Sequence, residues 1–142
     1  MFIGEFSHSL DAKNRVILPI KFRECFIESQ FVLTRGLDNC LFMYPIKEWE
    51  ILKEKLNTLS LTKKDARSFT RLIFSGASMD TFDKQGRVLI PDSLKKYAAI
   101  TKKVVITGAL NRVEIWSQPI WDKYIKKGLE SFEEIAENLI DI

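Results

Sequence analysis

Two stretches of this chain set a carboxylate and a guanidinium at one spacing. They are Leu10-Asp11-Ala12-Lys13-Asn14-Arg15-Val16-Ile17-Leu18-Pro19 and Phe82-Asp83-Lys84-Gln85-Gly86-Arg87-Val88-Leu89-Ile90-Pro91. Each reads apolar, Asp, three residues, Arg, three aliphatics, Pro. Asp, Arg and Pro all recur 72 positions later (11 to 83, 15 to 87, 19 to 91). An Arg–carboxylate pair can be bidentate and geometrically specific. An Arg can also read guanine O6/N7, Asn and Gln can read adenine, and Lys attracts phosphate. The candidate DNA-binding residues are therefore Lys13, Asn14 and Arg15 in one copy, and Lys84 and Arg87, with Gln85 between them, in the other. The arginines either lock their loops to Asp11 and Asp83 or reach a nucleic acid. Five donors per guanidinium leave room for both roles.

A turn has to carry these residues. Asn14 and Gly86 fill the slot before the Arg, and both residue types tolerate positive φ. Hairpin loops demand that conformation. Asp11 and Asp83 can bond loop amides in an Asx-type turn, so Asp11, Asp83 and Gly86 are read as loop-structuring. The aliphatic run after each Arg reads as a short buried strand, and the Pro fits the first turn of a helix.

The flanking elements repeat too. Residues 2–10 alternate as a half-buried strand, with His8 on the apolar side as a core or edge histidine. Residues 19–28 read as a short helix with Phe22 and Phe26 on one face. Strands follow at 31–34 and 40–44, joined by a turn at 35–39. In the second copy, strands fall at 77–82, 87–90, 104–107 and 113–116, with a helix from Asp92. Its last turn echoes the first at an offset of 73, which implies one inserted residue.

Four segments result: a first strand–strand–helix–strand–strand repeat (1–50), connecting helices (51–75), a second repeat (76–122), and a C-terminal helix with an acidic tail (123–142). In the connector, Trp49, Leu52, Leu56 and Leu59 trace a helical stripe. Thr62 and Asp65 have capping-box spacing. Ala66, Phe69, Leu72 and Ile73 share one side of the next helix; Lys63, Lys64, Arg67 and Arg71 form a solvated face or contact phosphate. Ser117 is placed as the last N-cap, with Pro119 in the first turn. The stripe Trp121, Ile125, Leu129, Phe132, Ile135 packs within the subunit or meets a neighbour.

The composition is mild, with 22 Lys/Arg against 19 Asp/Glu and a net charge of +3. Residues 117–142 carry 3 basic and 6 acidic side chains, leaving 19 and 13 in residues 1–116. A basic body with an acidic tail is compatible with an anionic partner without demanding one. Cys25 and Cys40 lack metal-ligand spacing and read as reduced core residues. A secretory signal and a membrane span are not expected. With no phosphate-cradling Gly loop, nucleophile arrangement or metal cluster, the chain is not read as an enzyme. No cofactor, metal or small-molecule substrate is expected.

Met1-Phe2-x-Gly4, the two Asp-x-x-x-Arg copies, Phe22-Arg23-Glu24 and Tyr44-Pro45-x-x-x-Trp49 together resemble the MraZ family, within the AbrB-like (swapped-hairpin) DNA-binding group. The resemblance spans Met1 to about Trp121. One departure is Asn14, where the family usually has Gly; Asn keeps the turn feasible. The resemblance implies a mixed α/β fold. Two fused AbrB-like repeats would interleave into a double-ψ/swapped-hairpin barrel with flanking helices. It also implies a sequence-specific regulator on double-stranded DNA, cytoplasmic and nucleoid-associated. Such a regulator binds short promoter repeats upstream of its own division and cell-wall gene cluster, as a homo-oligomeric ring. The competing expectation is a ring-forming structural or interaction protein with a protein client.

Overall fold

The computed structural model of the chain describes residues 1–139; the last three residues of the acidic tail, 140–142, lie outside the described residues. In chain order, the first repeat runs β1 (Glu5–Ser9), β2 (Arg15–Ile17), α1 (Ile20–Arg23), β3 (Gln30–Arg35), β4 (Leu41–Pro45). The helices α2 (Ile46–Asn57) and α3 (Lys64–Ser75) come next. The second repeat follows as β5 (Ser78–Thr81), β6 (Arg87–Leu89), α4 (Asp92–Tyr97), β7 (Lys103–Gly108), β8 (Val113–Ser117). The chain continues through α5 (Gln118–Glu130) and α6 (Phe132–Glu137).

The mixed α/β fold and its interleaving are as the family resemblance implies. A six-stranded antiparallel sheet has the order β1-β7-β8-β4-β3-β5, and a two-stranded ladder pairs β2 with β6. Exchanging each strand for its counterpart in the other repeat reverses the sheet order onto itself. A pseudo-two-fold axis therefore passes between β4 and β8, where Phe42 opposes Glu114, and through the ladder, where Val16 opposes Val88. The first strand of each repeat joins the third strand of the other: Phe6 faces Ile106, and Phe31 faces Asp80.

Alternation along the strands divides the apolar residues between two layers. One face of the sheet (Leu33, Leu41, Met43, Ile106, Val113, Ile115) packs against Val16, Leu18, Val88 and Ile90 of the ladder region. Phe22 and Leu94 from the short helices close that core. Phe22 meets Phe2 and Phe6 edge-on at 5.4 and 5.3 Å, and Phe26 meets Phe2 and Phe82 at 5.4 and 5.8 Å. These rings come from both repeats, so neither half completes this core alone. The other sheet face carries Val32, Phe42, Tyr44, Val105 and Trp116 beneath Trp49, Leu56, Ile73 and Trp121 of the long helices.

Several local expectations are corrected. The aliphatic runs are not wholly buried: Val16 and Val88 point inward, whereas Ile17 and Leu89 are 46% and 47% exposed. The ladder has one face on the core and one open, so side chains alternate. The helix expected over 19–28 ends at Arg23, and a single 3-10 turn follows at Ile27–Ser29 with Glu28 at φ 55°. Phe26 leaves the helical region (φ −110°, ψ 119°) and its ring seats between Phe2 and Phe82. Packing of that ring overrides helix continuation. The capping box is not made: α3 starts at Lys64 without a side-chain cap, and Thr62 Oγ1 instead lies 2.8 Å from Ser60 Oγ. Of the expected apolar side of α3, Ile73 is buried while Phe69 and Leu72 are exposed.

Ser117 sits at the N-cap of α5 with Pro119 in the first turn, but its side chain makes no cap bond. The α5–α6 stripe packs at Trp121 and Ile125 and is exposed at Leu129, Phe132 and Ile135. Cys40 is buried and Cys25 is half-buried; both are free. The inserted residue lies before β7, and the turn between β7 and β8 is one residue shorter than that between β3 and β4. The offset thus returns to 72, aligning Trp49 with Trp121.

Candidate nucleic-acid interface

The loop between β1 and β2 is built around one carboxylate. Asp11 Oδ1 accepts the backbone N–H of Lys13 and of Arg15, each at 2.9 Å, and Oδ2 accepts Arg15 Nε–H at 2.8 Å. Backbone bonds close the turn: Asp11 N–H to Arg15 O at 2.8 Å and Asn14 N–H to Asp11 O at 3.1 Å. Asn14 adopts the left-handed conformation at φ 60°. The second loop repeats this bond for bond. Asp83 Oδ1 accepts Gln85 and Arg87 N–H at 3.0 and 2.9 Å, Oδ2 accepts Arg87 Nε–H at 2.6 Å, and Gly86 takes φ 78°.

These contacts define what each charged group has left to offer. The backbone N–H of Arg15 is the largest influence holding the Asp11 carboxyl below its ordinary value of 3.8; the Arg15 side chain and the Lys13 N–H add to it, against partial desolvation. Asp83 is lowered in the same way, led by the Arg87 N–H. Each Asp takes a single guanidinium N–H, at Nε. The terminal Nη groups of Arg15 and Arg87 have no hydrogen-bond partner among the described residues. A held Nε and an unpaired Nη pair give a pre-oriented fork able to donate twice to an anionic or base-edge acceptor.

The ladder register puts both forks on one surface. Arg15 opposes Leu89 and Ile17 opposes Arg87, so all four side chains share the face away from Val16 and Val88. The two arginines are diagonal neighbours, about 7–8 Å apart at the backbone. Around them, Lys13, Lys84 and Gln85 are exposed. Asn14 is half-buried, and its Oδ1 already accepts Lys95 Nζ–H at 2.8 Å. Ile17 and Leu89 also belong to this face, although the aliphatic run hid them; period-two alternation starting from Arg15 is the signal that marks them. Arg23 and Lys95 were not legible as neighbours, because each sits on a helix of the opposite repeat.

The duplicated loop and the crossed pairing define a two-repeat architecture that can be compared with known proteins. A family model described as "MraZ protein, putative antitoxin-like" matches the chain twice, at residues 1–72 and 73–142. The chain belongs to the MraZ family. Its relatives include a protein of Natranaerobius thermophilus named transcriptional regulator MraZ, 57% identical over 141 residues, covering 99% of this chain and 98% of that one. A protein of the same name from Clostridium tetani is 54% identical over 142 residues, covering 100% and 99%. Both MraZ relatives align over both loops and all the elements that carry them.

Proposed function

We propose that this protein is a sequence-specific, double-stranded-DNA-binding transcriptional regulator. It binds short promoter repeats upstream of its own division and cell-wall gene cluster, in the cytoplasm and on the nucleoid. The observation that carries this reading is the open ladder face with two Asp-anchored arginine forks. A two-stranded ribbon fits the major groove, which is about 12 Å wide. Arg15 reads base edges with Lys13 and Asn14 beside it, and Arg87 and Lys84 do so on the other side of the axis. Asp11, Asp83 and Gly86 hold the loops in shape. Ile17 and Leu89 take the other diagonal of the same face, beside the arginines, where apolar contact with thymine methyls is available. The names of the two relatives support regulation of transcription.

The same reading includes a homo-oligomeric ring, in which several weak single-subunit contacts on tandem repeats add by effective concentration. Two surfaces support it. Leu129 near the end of α5 is exposed, as are Phe132 and Ile135 on α6, whose charged residues are Glu133, Glu134 and Glu137. A groove of about 690 Å3 between α2 and α3 is lined by Leu56, Leu61, Phe74, Lys53, Arg67 and Arg71. Joining two different surfaces head to tail closes a ring when the rotation between subunits closes. The test is a salt titration of binding to the DNA upstream of the protein's own gene, against scrambled DNA. Specific binding that weakens steeply with salt is expected. Equal, salt-insensitive behaviour on both DNAs would contradict the proposal and turn the search to a protein client.

A further inference from the structure

Each turn of the interface is touched by a cation from the opposite repeat. Lys95 on α4 donates Nζ–H to Asn14 Oδ1 at 2.8 Å. Arg23 on α1 donates Nε–H to Leu18 O at 2.7 Å, and its guanidinium lies so close over Gly86 that a Cβ there would overlap Nε, Cζ and Nη2. Arg23 and Lys95 are 72 positions apart, as are Asn14 and Gly86. The two contacts are therefore one contact repeated about the pseudo-two-fold axis with different partners. Where the turn has no side chain, the broad guanidinium occupies the space; where the turn offers an amide oxygen, the compact ammonium bonds it. The backbones of the same turns are also cross-bonded, Leu18 N–H to Gly86 O at 2.8 Å and Ile90 N–H to Asn14 O at 2.9 Å.

We propose that Arg23 and Lys95 are cross-repeat positioning residues for DNA recognition; this rests on the DNA-binding reading above. Asn14 and Gly86 immediately precede Arg15 and Arg87, so the seat of each turn sets where its fork points. Each fork is aimed by a helix of the other repeat, and neither half presents its arginine alone. The matched partners make the proposal testable by exchange.

The full chain is assayed for affinity to its own upstream DNA, with thermal unfolding recorded alongside. Gly86→Asn places a side chain where Arg23 lies, in a conformation Asn accepts, and specific affinity falls about tenfold or more. Adding Arg23→Lys rebuilds the pairing of the first turn and recovers most of that loss. A double variant no better than Gly86→Asn alone overturns the proposal. Lys95→Met supplies a second arm. It lowers affinity about tenfold in the wild-type background and has no further effect after Asn14→Gly, because the acceptor is gone. An equal loss in both backgrounds would make Lys95 a direct DNA contact and overturn the assignment, as would no loss in either. If the wild type shows no preference for the upstream DNA, the regulator reading fails by itself. The clamp is then read from amide exchange at Lys13 and Arg15, which quickens in Lys95→Met; unchanged exchange overturns the clamp as well.

Discussion

Asp11 and Asp83 use both carboxylate oxygens within their own loops, and this fixes what substitution does. Asp11→Ala frees the N–H groups of Lys13 and Arg15 and the guanidinium together. It should lower both the thermal midpoint and DNA affinity; a loss of binding with an unchanged midpoint would remove Asp11 as the loop anchor. The pH dependence follows from the depressed carboxyls. A carboxylate whose folded value lies below its unfolded one contributes stability that is complete above the unfolded value, 3.8 here, and that is lost as pH falls through the depressed one. Wild type should therefore lose loop protection as pH falls below 3.8. An Asp11→Asn/Asp83→Asn variant should lack that step, as amide exchange across the acid range would show.

At the scale of elements, the two faces of the ladder should respond differently. Ile17→Ser and Leu89→Ser alter half-exposed positions, so stability should stay within about 0.5 kcal/mol while DNA affinity falls. Phe22→Ala opens the core shared by both repeats and should cost about 3–5 kcal/mol in denaturant unfolding. The duplicated Asp-x-x-x-Arg turns and most strands were legible, because spacing and period record local geometry; the interleaving came only from the family resemblance, since pairing between repeats leaves no local pattern. The outward turn of Ile17 and Leu89 was obscured, because three consecutive aliphatics read as a buried run whatever lies on their second side. The break after Arg23 was not legible either, since the ring of Phe26 answers to Phe82, 56 positions away. The contacts of Arg23 and Lys95 with the opposite turns were not legible for the same reason: a contact made across the pseudo-axis leaves no local pattern.

For the whole molecule, crossed pairing ties the two loops into one rigid presentation of two forks. A chain with a net charge of only +3 gains little from long-range attraction, and the oligomer proposed above supplies affinity by effective concentration. Glu substituted at Phe132 and Ile135 should reduce the subunit number in sedimentation experiments. It should also weaken binding to tandem repeats far more than to a single repeat. An unchanged assembly would place the subunit contacts elsewhere.

The most direct test of the central claim is a gel-shift titration of wild type and Arg15→Ala on the DNA upstream of the protein's own gene, at two salt concentrations. Arg15 pairs with Asp11 at an exposed site, so its removal should leave the protein folded. The account predicts specific, salt-weakened binding by the wild type and its loss in a folded Arg15→Ala protein. Specific affinity retained by Arg15→Ala would contradict it.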